Sequence, residues 1–411
     1  MLTALRLQNF KSFKDQRVEF GPVTLLVGAN ASGKSNLLDA LRFLKGAALG
    51  MPLEDVLEDP QRSRQRERMW PGIRGGAKEV GFRGSTRFTL TSEWMIEGGR
   101  FEYSIECDVS ATPRVVREQL TRDDEPLLGG ERSHDRPDDI YDVHFGLMGH
   151  RAGNVGMYTD PWRAGIAARL DDLAPVEFSR PLAEWRRYEA LLAAFRETLH
   201  GLTLHEIQPS LMRGYVPIRE SDLGVHAENL SAVLYHAFKD PEIKRSLLDW
   251  LRELCGEEIA DVDFSETDLD DVMMVVKDVH GARTSARSLS DGTLRFLGLL
   301  TALREPGPRS RRILLLEEPE IGLHPSRLYL LAEQLASRAA QGRQVIATTH
   351  APGLLGALSE SALGDTVVCS IDPEGDGTIA RRVRDLPDFA EVLARRGIEY
   401  LYTTRWLERA L

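Results

Sequence analysis

Val23 to Asn36 reads VTLLVGANASGKSN, and the fold follows from this stretch. Five residues rich in Val and Leu run into Gly28, and Gly28, Gly33, Lys34 and Ser35 then fall at the spacing G-x-x-x-x-G-K-S. A phosphate-binding loop has this pattern between a buried strand and a helix. Such a loop curls its backbone N–H groups around an anion, and glycines at its ends lack the Cβ atoms that would obstruct the curl. Lys34 then reaches the β and γ phosphates of a nucleotide. Ser35 opens a helix expected over Ser35 to Leu44, where its hydroxyl can ligate Mg²⁺ and the helix dipole faces the phosphates.

At 411 residues the chain has room for two ordinary domains or one large elaborated one. The formal net charge of -11 argues against a surface that grips nucleic acid everywhere, while leaving room for a local basic groove. Cys107, Cys255 and Cys369 lie far apart, with no C-x-x-C pair, so neither a Cys-rich zinc module nor a disulfide framework is expected. A reducing cytoplasm fits best. The opening MLTALRLQNFKSF has no apolar core of a signal peptide, and nowhere do eighteen uncharged apolar residues run together, so neither export nor a membrane span is expected.

Around the loop, Leu5 to Phe10 and Arg17 to Phe20 read as short strands. Gln61 to Gly76 carries Arg62, Arg64, Arg66, Arg68 and Arg74 around Trp70, either a track for a nucleic-acid backbone or a solvated loop. Arg87 to Thr91, Phe101 to Asp108 and Arg114 to Leu120 suggest an antiparallel layer. Thr121 to Asp142, with its GG and DRPDD, reads as an acidic loop. From Pro181, Trp185, Tyr188, Leu192, Phe195 and Leu199 form one helical stripe that Gly201 stops. The stripe lasts two heptads, too short for a coiled-coil arm. Helices are expected at Glu228 to Phe238 and Pro241 to Cys255.

Ser288 to Glu305, SLSDGTLRFLGLLTALRE, is an apolar helix capped by Ser290 or Asp291, with Gly292 leaving its N-terminus open to close approach; a capped core helix is the alternative. Ile313 to Leu316 is an apolar run typical of a central parallel strand, and it ends in Glu317-Glu318-Pro319-Glu320. Carboxylates at the C-terminal end of such a strand stand where α/β folds bind ligands. Two adjacent acids can divide the work there, Glu317 orienting Mg²⁺ and Glu318 accepting a proton from attacking water. A helix from Pro325 to Gln341 and a strand from Gln344 to Thr349 follow, and that strand's end presents His350.

The set GANASGKS, LSDGT, ILLLEEPE, EIGLHP and TTH, in that order, resembles the ABC-type ATPase heads of the RecF, SMC and OLD-like group, especially its compact bacterial AAA-family members. The resemblance covers residues 1 to about 50 and about 286 to 411. It implies that Gly28 to Ser35 is the Walker A loop, so that Gly28, Asn30, Ala31, Ser32, Gly33, Lys34, Ser35 and the adjoining Asn36 bind the nucleotide. It also implies that Leu289 to Thr293 is the signature, with Ser290 and Gly292 acting on the other subunit's nucleotide, and that Ile313 to Glu318 is Walker B. Ile321 to His324 would be the D-loop region, His350 the switch histidine, and Lys11 and Ser12, within NFKSF, neighbours of the nucleotide. Glu317 stands where Asp is usual, Asp291 where transporters have Gly, and no Q-loop glutamine can be placed. The 61 residues after His350 are too few for a Toprim nuclease domain.

The expected fold is therefore α/β, a P-loop NTPase of ABC-ATPase type with an antiparallel β layer and an inserted helical lobe. Residues 1–411 form one ATPase domain, with a nucleotide-binding core at 1–50 and 286–411, a β-rich elaboration at 76–146 and a helical lobe at 180–285. With one copy of each motif, the chain is expected to pair with itself, as a homodimer or larger assembly, and to use ATP and Mg²⁺ in the cytoplasm. One reading is an ATP hydrolase working on DNA or a partner, as in repair or anti-phage defence. The other is a slow nucleotide-gated scaffold that holds an effector such as a nuclease, toxin or RNA. A transporter subunit ranks third.

Overall fold

The computed structural model describes residues 1–58, 72–132, 141–147, 150–151, 155–159, 182–255, 258–304 and 313–411. The chain opens with β1 (Leu2–Phe10), β2 (Phe13–Glu19) and β3 (Val23–Val27), then α1 (Lys34–Ala48), α2 (Leu53–Leu57) and α3 (Gly76–Glu79). Next come β4 (Arg87–Ile96), β5 (Gly99–Asp108), β6 (Arg114–Arg122), β7 (Glu125–Arg132), β8 (Tyr141–Leu147), β9 (His150–Arg151) and β10 (Val155–Thr159). After α4 (Leu182–His200) and β11 (Leu202–His205) come β12 (Val216–Pro217), α5 (Leu230–Ala237), α6 (Pro241–Cys255), β13 (Ile259–Glu266), β14 (Asp271–Asp278) and β15 (Arg283–Ser285). The last part holds α7 (Asp291–Arg304), β16 (Ile313–Leu316), α8 (Leu328–Ala340), β17 (Val345–Thr348), α9 (Pro352–Gly356), α10 (Glu360–Gly364), β18 (Val367–Ile371) and β19 (Thr378–Arg382). It ends in α11 (Phe389–Arg396), α12 (Ile398–Thr403) and α13 (Trp406–Arg409).

Among the described residues these strands form three sheets. The central one runs β11-β16-β17-β3-β18-β19, parallel except for β19. β3, β16 and β17 are buried on both faces, and alternate residues of the sheet feed two different cores. Leu26, Ile313, Leu315 and Ile346 point to the core shared with α1 and the antiparallel sheet, whereas Leu25, Leu314, Leu316 and Ala347 point to the core under α7 and α8. Double burial explains why these strands read as short unbroken apolar runs.

A nine-stranded antiparallel sheet, ordered β10-β8-β7-β6-β5-β4-β1-β2 with β9 beside β8, forms the second layer. Gln344 ties it to the central sheet: its side chain accepts from Leu2 N and donates to Leu2 O and Gly21 O, each at 2.8 Å. Helix α4 packs on this sheet through buried Leu192, Phe195 and Leu199. The Phe195 ring lies 5.3 Å from Tyr103, 6.0 Å from Phe101 and 6.4 Å from Trp94. The side chains of Trp185 and Tyr188, expected on the same stripe, lie outside the described residues.

Two expectations need correction. Thr121 to Asp142 is not an acidic loop throughout, because β7 occupies Glu125–Arg132 and pairs with β6. Asp123 and Asp124 both have positive φ, 50° and 66°, which makes them a tight hairpin turn whose backbone twist matches the flanking strands. The DRPDD run lies outside the described residues. Residues 180–285, expected as a helical lobe, also hold strands. β11 is the edge of the central sheet, and β12, β13, β14 and β15 form a small antiparallel sheet. The Arg62 to Arg68 run and Trp70 lie outside the described residues, and only Arg74 of that basic stretch is seen.

Candidate functional site

β3, β16, β17 and β18 are parallel neighbours, so their C-terminal ends open toward one crevice. The Gly28–Gly33 loop leaves β3 there. Gly28 has φ 141°, and a Cβ on it would collide with the Cys369 carbonyl oxygen within β18. Gly33, at φ 98°, leads into α1. Asn30 and Ala31 are exposed at the tip, Ala31 with φ 62°, while Ser32 is buried and its hydroxyl has no partner among the described residues. Lys34 is 6% exposed and its ammonium is held inside the curl, donating to the carbonyls of Gly28 and Ala29, both at 2.8 Å. Burial lowers its pKa, opposed by the nearby Glu318 and Glu408 carboxylates. Ser35 and Asn36 are half-buried on the first turn of α1.

Ser12 lies against this turn. Its hydroxyl accepts from Asn36 Nδ2 and Thr378 Oγ1, both at 2.8 Å, and its carbonyl accepts from Thr378 N at 2.7 Å. Lys11 turns elsewhere. Its ammonium pairs with Asp39 on the buried side of α1 and donates to the Arg74 carbonyl at 2.8 Å. Lys11 is thus engaged by α1 and the α3 region.

Glu317 and Glu318 are neighbours in unlike surroundings. Glu317 is 13% exposed and pairs with Arg74, while the Arg42 guanidinium lies 3.9 Å away. Burial raises the Glu317 pKa, which the Arg74 and Arg42 charges oppose, while Glu206 just beyond β11 adds to the rise. Glu318 stands in the open with φ 43°, its side chain 38% exposed. Its carboxylate lies 3.5 Å from His350 Nε2, and His350 is 34% exposed. Glu318 N donates to Thr348 Oγ1 at 3.1 Å, and His350 N donates to Glu320 Oε1 at 2.7 Å. Glu320 is buried, which raises its pKa against the opposing bond from His350 N.

Ser290 and Gly292 stand apart from this crevice. Ser290 Oγ accepts from Thr293 N at 3.1 Å and so caps α7. Gly292 approaches Gly322 so closely that a Cβ would sit 2.8 Å from the Gly322 carbonyl oxygen. Ser290, Gly292, Thr293, Gly322, Leu323, His324, Ser326 and Arg327 line a cleft of about 470 Å³ that contains no residue of the Gly28–Ser35 loop. Arg213 supports it from below, pairing with Asp291 and donating to the carbonyls of Arg287 and Leu289 at 2.8 Å.

The structure thus gathers Ser12, the Gly28–Asn36 turn, Glu317, Glu318 and His350 around one crevice and leaves Ser290 and Gly292 in another. Sequence reading assigned Arg74 to a basic stretch rather than to this site, and it missed the roles of Asp39, Arg42, Glu206, Thr348, Glu320 and Thr378. Two of these had a signal, Glu320 as the third acid of EEPE and Thr348 as the first residue of TTH. Among the described residues no cluster of three or more His, Cys, Asp or Glu could hold a metal by itself. Ser35 and Glu317 nonetheless offer the hard oxygen donors that suit Mg²⁺, an ion usually held by one or two protein groups together with phosphates and water.

A phosphate loop on a central parallel strand, an acidic strand end beside it and an antiparallel second layer define an ABC-type ATPase of the RecF, SMC and OLD-like group. Within that class, the chain belongs to the family described as "AAA domain, putative AbiEii toxin, Type IV TA system", whose model matches residues 23–356. It is 30% identical to the Old nuclease of Escherichia phage P2 over 103 residues, 25% of this chain and 16% of that protein. It is 52% identical to the DNA replication and repair protein RecF of Nostoc punctiforme over 44 residues, 10% of this chain and 12% of that protein. The SMC head domain from Thermotoga maritima aligns with a TM-score of 0.44 at 14% identity, covering 93% of this chain and 98% of that one. The chain spans less than a quarter of the length of the first curated relatives it matches. Among the described residues no helix is long and apolar enough to cross a membrane.

Proposed function

We propose that the chain hydrolyses ATP at the crevice between β3 and β16. The observation that carries this reading is the approach of Glu318 and His350 to 3.5 Å, at the mouth of the loop that holds Lys34. Lys34 and the loop N–H groups bind the β and γ phosphates, with Gly28, Asn30, Ala31, Ser32, Gly33 and Asn36 shaping the cradle and Ser12 bracing it. Glu318 takes a proton from the attacking water as its oxygen bonds to the γ phosphorus and ADP leaves. His350 steadies the Glu318 carboxylate and the γ phosphate. Ser35 and Glu317 would hold Mg²⁺, which when bound neutralises phosphate charge. For Glu317 to do so, Arg74 has to release it.

Ser290 and Gly292 complete the site of a second copy, since no residue of the chain's own phosphate loop lines their cleft. Such a homodimer, or a larger assembly of it, does work on DNA or on an effector protein in the cytoplasm. A nuclease relative, a repair relative and a toxin-system family description support DNA repair or defence against phage as its setting. The engagement of Glu317 by Arg74 favours a second reading, a slow nucleotide-gated scaffold that holds a nuclease, toxin or RNA. Steady-state phosphate release with and without DNA separates the two. Turnover that rises with DNA supports the first, and slow turnover indifferent to DNA supports the second. Nucleotide binding unchanged in Lys34→Ala would overturn both.

A further inference from the structure

Two backbone hydrogen bonds cross between β16 and β17 in opposite directions. Glu318 N–H donates to the hydroxyl of Thr348, two residues before His350, and His350 N–H donates to the carboxylate of Glu320, two residues after Glu318. Each strand end therefore uses a side chain to pin the backbone of the exposed residue on the other. Both pinning side chains are buried, while the two residues they pin are about one-third exposed. Glu318 also has φ 43°, a conformation that a residue with a side chain keeps only where its surroundings determine it. Pro319 and buried Glu320 follow at once, so the turn that aims the Glu318 carboxylate is fixed at both ends.

We propose that Thr348 and Glu320 form a reciprocal clamp, as positioning residues that set the placement of Glu318 against His350 for hydrolysis. The proposal rests on the reading of Glu318 and His350 given above. Both clamp residues are buried, and each acts through the backbone N–H it holds. Loss of one acceptor frees one backbone N–H and lets one reactive side chain drift relative to the other, and a displacement near 1 Å costs about 100-fold in a positioned reaction.

The test is steady-state ATP hydrolysis by the full chain carrying Thr348→Val, Thr348→Ser, Glu320→Leu or Glu320→Gln, with thermal melting of each. Valine keeps the shape of threonine and loses the acceptor, whereas serine and glutamine keep one. Thr348→Val and Glu320→Leu should lower kcat by about 10- to 100-fold while KM for ATP moves less than about threefold, because the Lys34 loop is untouched. The serine and glutamine variants should stay within about fivefold of wild type. The double variant Thr348→Val/Glu320→Leu should lose less than the product of the single losses, since either break disorders the same pair. Unchanged kcat in Thr348→Val, or serine and glutamine variants as impaired as their partners, would overturn the clamp. Glu318→Gln in the same assay keeps the two claims apart. If it turns over normally, the reading of the acidic pair fails. If it is inactive while Thr348→Val is not, the clamp alone fails.

Discussion

Replacing Glu318 by Gln removes a proton acceptor and changes little else. The backbone bond from Glu318 N to Thr348 Oγ1 does not involve the carboxylate, so the turn at φ 43° survives. What the fold loses is a partly exposed contact with His350 at 3.5 Å, and such pairs contribute about 0–1 kcal/mol. What the reaction loses is a general base, about 10² to 10⁴ in rate, or roughly 3 to 5 kcal/mol of barrier. The two magnitudes separate chemistry from folding. Glu318→Gln should melt within a few degrees of wild type and bind ATP at Lys34 with near wild-type affinity, yet release phosphate 10² to 10⁴ times more slowly. If closure over ATP depends on Ser290 and Gly292 of a second copy, the variant should also accumulate as a dimer with ATP and Mg²⁺, seen by light scattering and reversed by a chelator. Phosphate release within about threefold of wild type would refute the assignment of Glu318 as base. Lost turnover without dimer accumulation would leave the base and refute the sandwich.

Lys34→Ala should abolish ATP binding, read by calorimetry, because it removes the one cation held inside the loop by the Gly28 and Ala29 carbonyls. Ser290→Arg should leave binding of ATP to each chain intact and suppress turnover, since a bulky cation would fill the cleft beside Gly322; full activity would reduce Ser290 to a helix cap. Phe195→Ala empties the ring contact with Tyr103, Phe101 and Trp94, and should cost about 3–5 kcal/mol by denaturant unfolding. Glu320→Gln should change how stability follows pH. Burial raises the Glu320 pKa in the folded chain, so the folded state holds that proton more tightly than the unfolded one. Stability from this group is complete below the ordinary value of 4.5 and is lost as pH rises through the raised folded value. The Gln variant escapes that loss, so its melting temperature should gain on wild type from pH 4.5 toward neutrality, and a flat difference would contradict the burial argument.

The sequence carried β3, β16 and β17 of the central sheet, because these strands are buried throughout and the loop between β3 and α1 has a spacing that little besides phosphate binding requires, but it did not reveal β18 or β19. β7 escaped because its turn is built from Asp123 and Asp124, which read as acidic loop, and because Gly129 and Gly130 sit inside a strand rather than at its end. β11 escaped because four residues, LTLH, acquire meaning only when paired with β16 more than a hundred positions later. The partner of Glu317 was equally invisible: Arg74 lies 243 positions away, in a stretch whose repeated arginines drew attention to nucleic acid instead. Local pattern identifies which side chains can do chemistry. It does not say which charges the fold will set against them.

That limit matters most at Glu317 and Glu318, which are adjacent in sequence and opposite in circumstance. Pleat sends one carboxylate down toward α1, into a buried network in which Lys11 pairs with Asp39, Arg42 lies 3.6 Å from Asp39 and Arg74 takes Glu317. The positive φ of Glu318 turns the other up into the crevice beside His350 and the field of Lys34. Groups whose environments diverge this far acquire different tasks even when their chemistry is the same. Burial raises the Glu317 pKa and the guanidiniums beside it oppose that rise, so this carboxylate is placed to offer its oxygens to an ion once Arg74 releases it. A carboxylate exposed next to an imidazole can exchange a proton with water. Arg74 ties Glu317 to the Lys11–Asp39 pair on α1, its carbonyl accepting from Lys11 and its guanidinium holding Glu317. Any movement of the Gly72–Gly76 segment therefore reaches the acidic strand end directly, so that segment is mechanically part of the site.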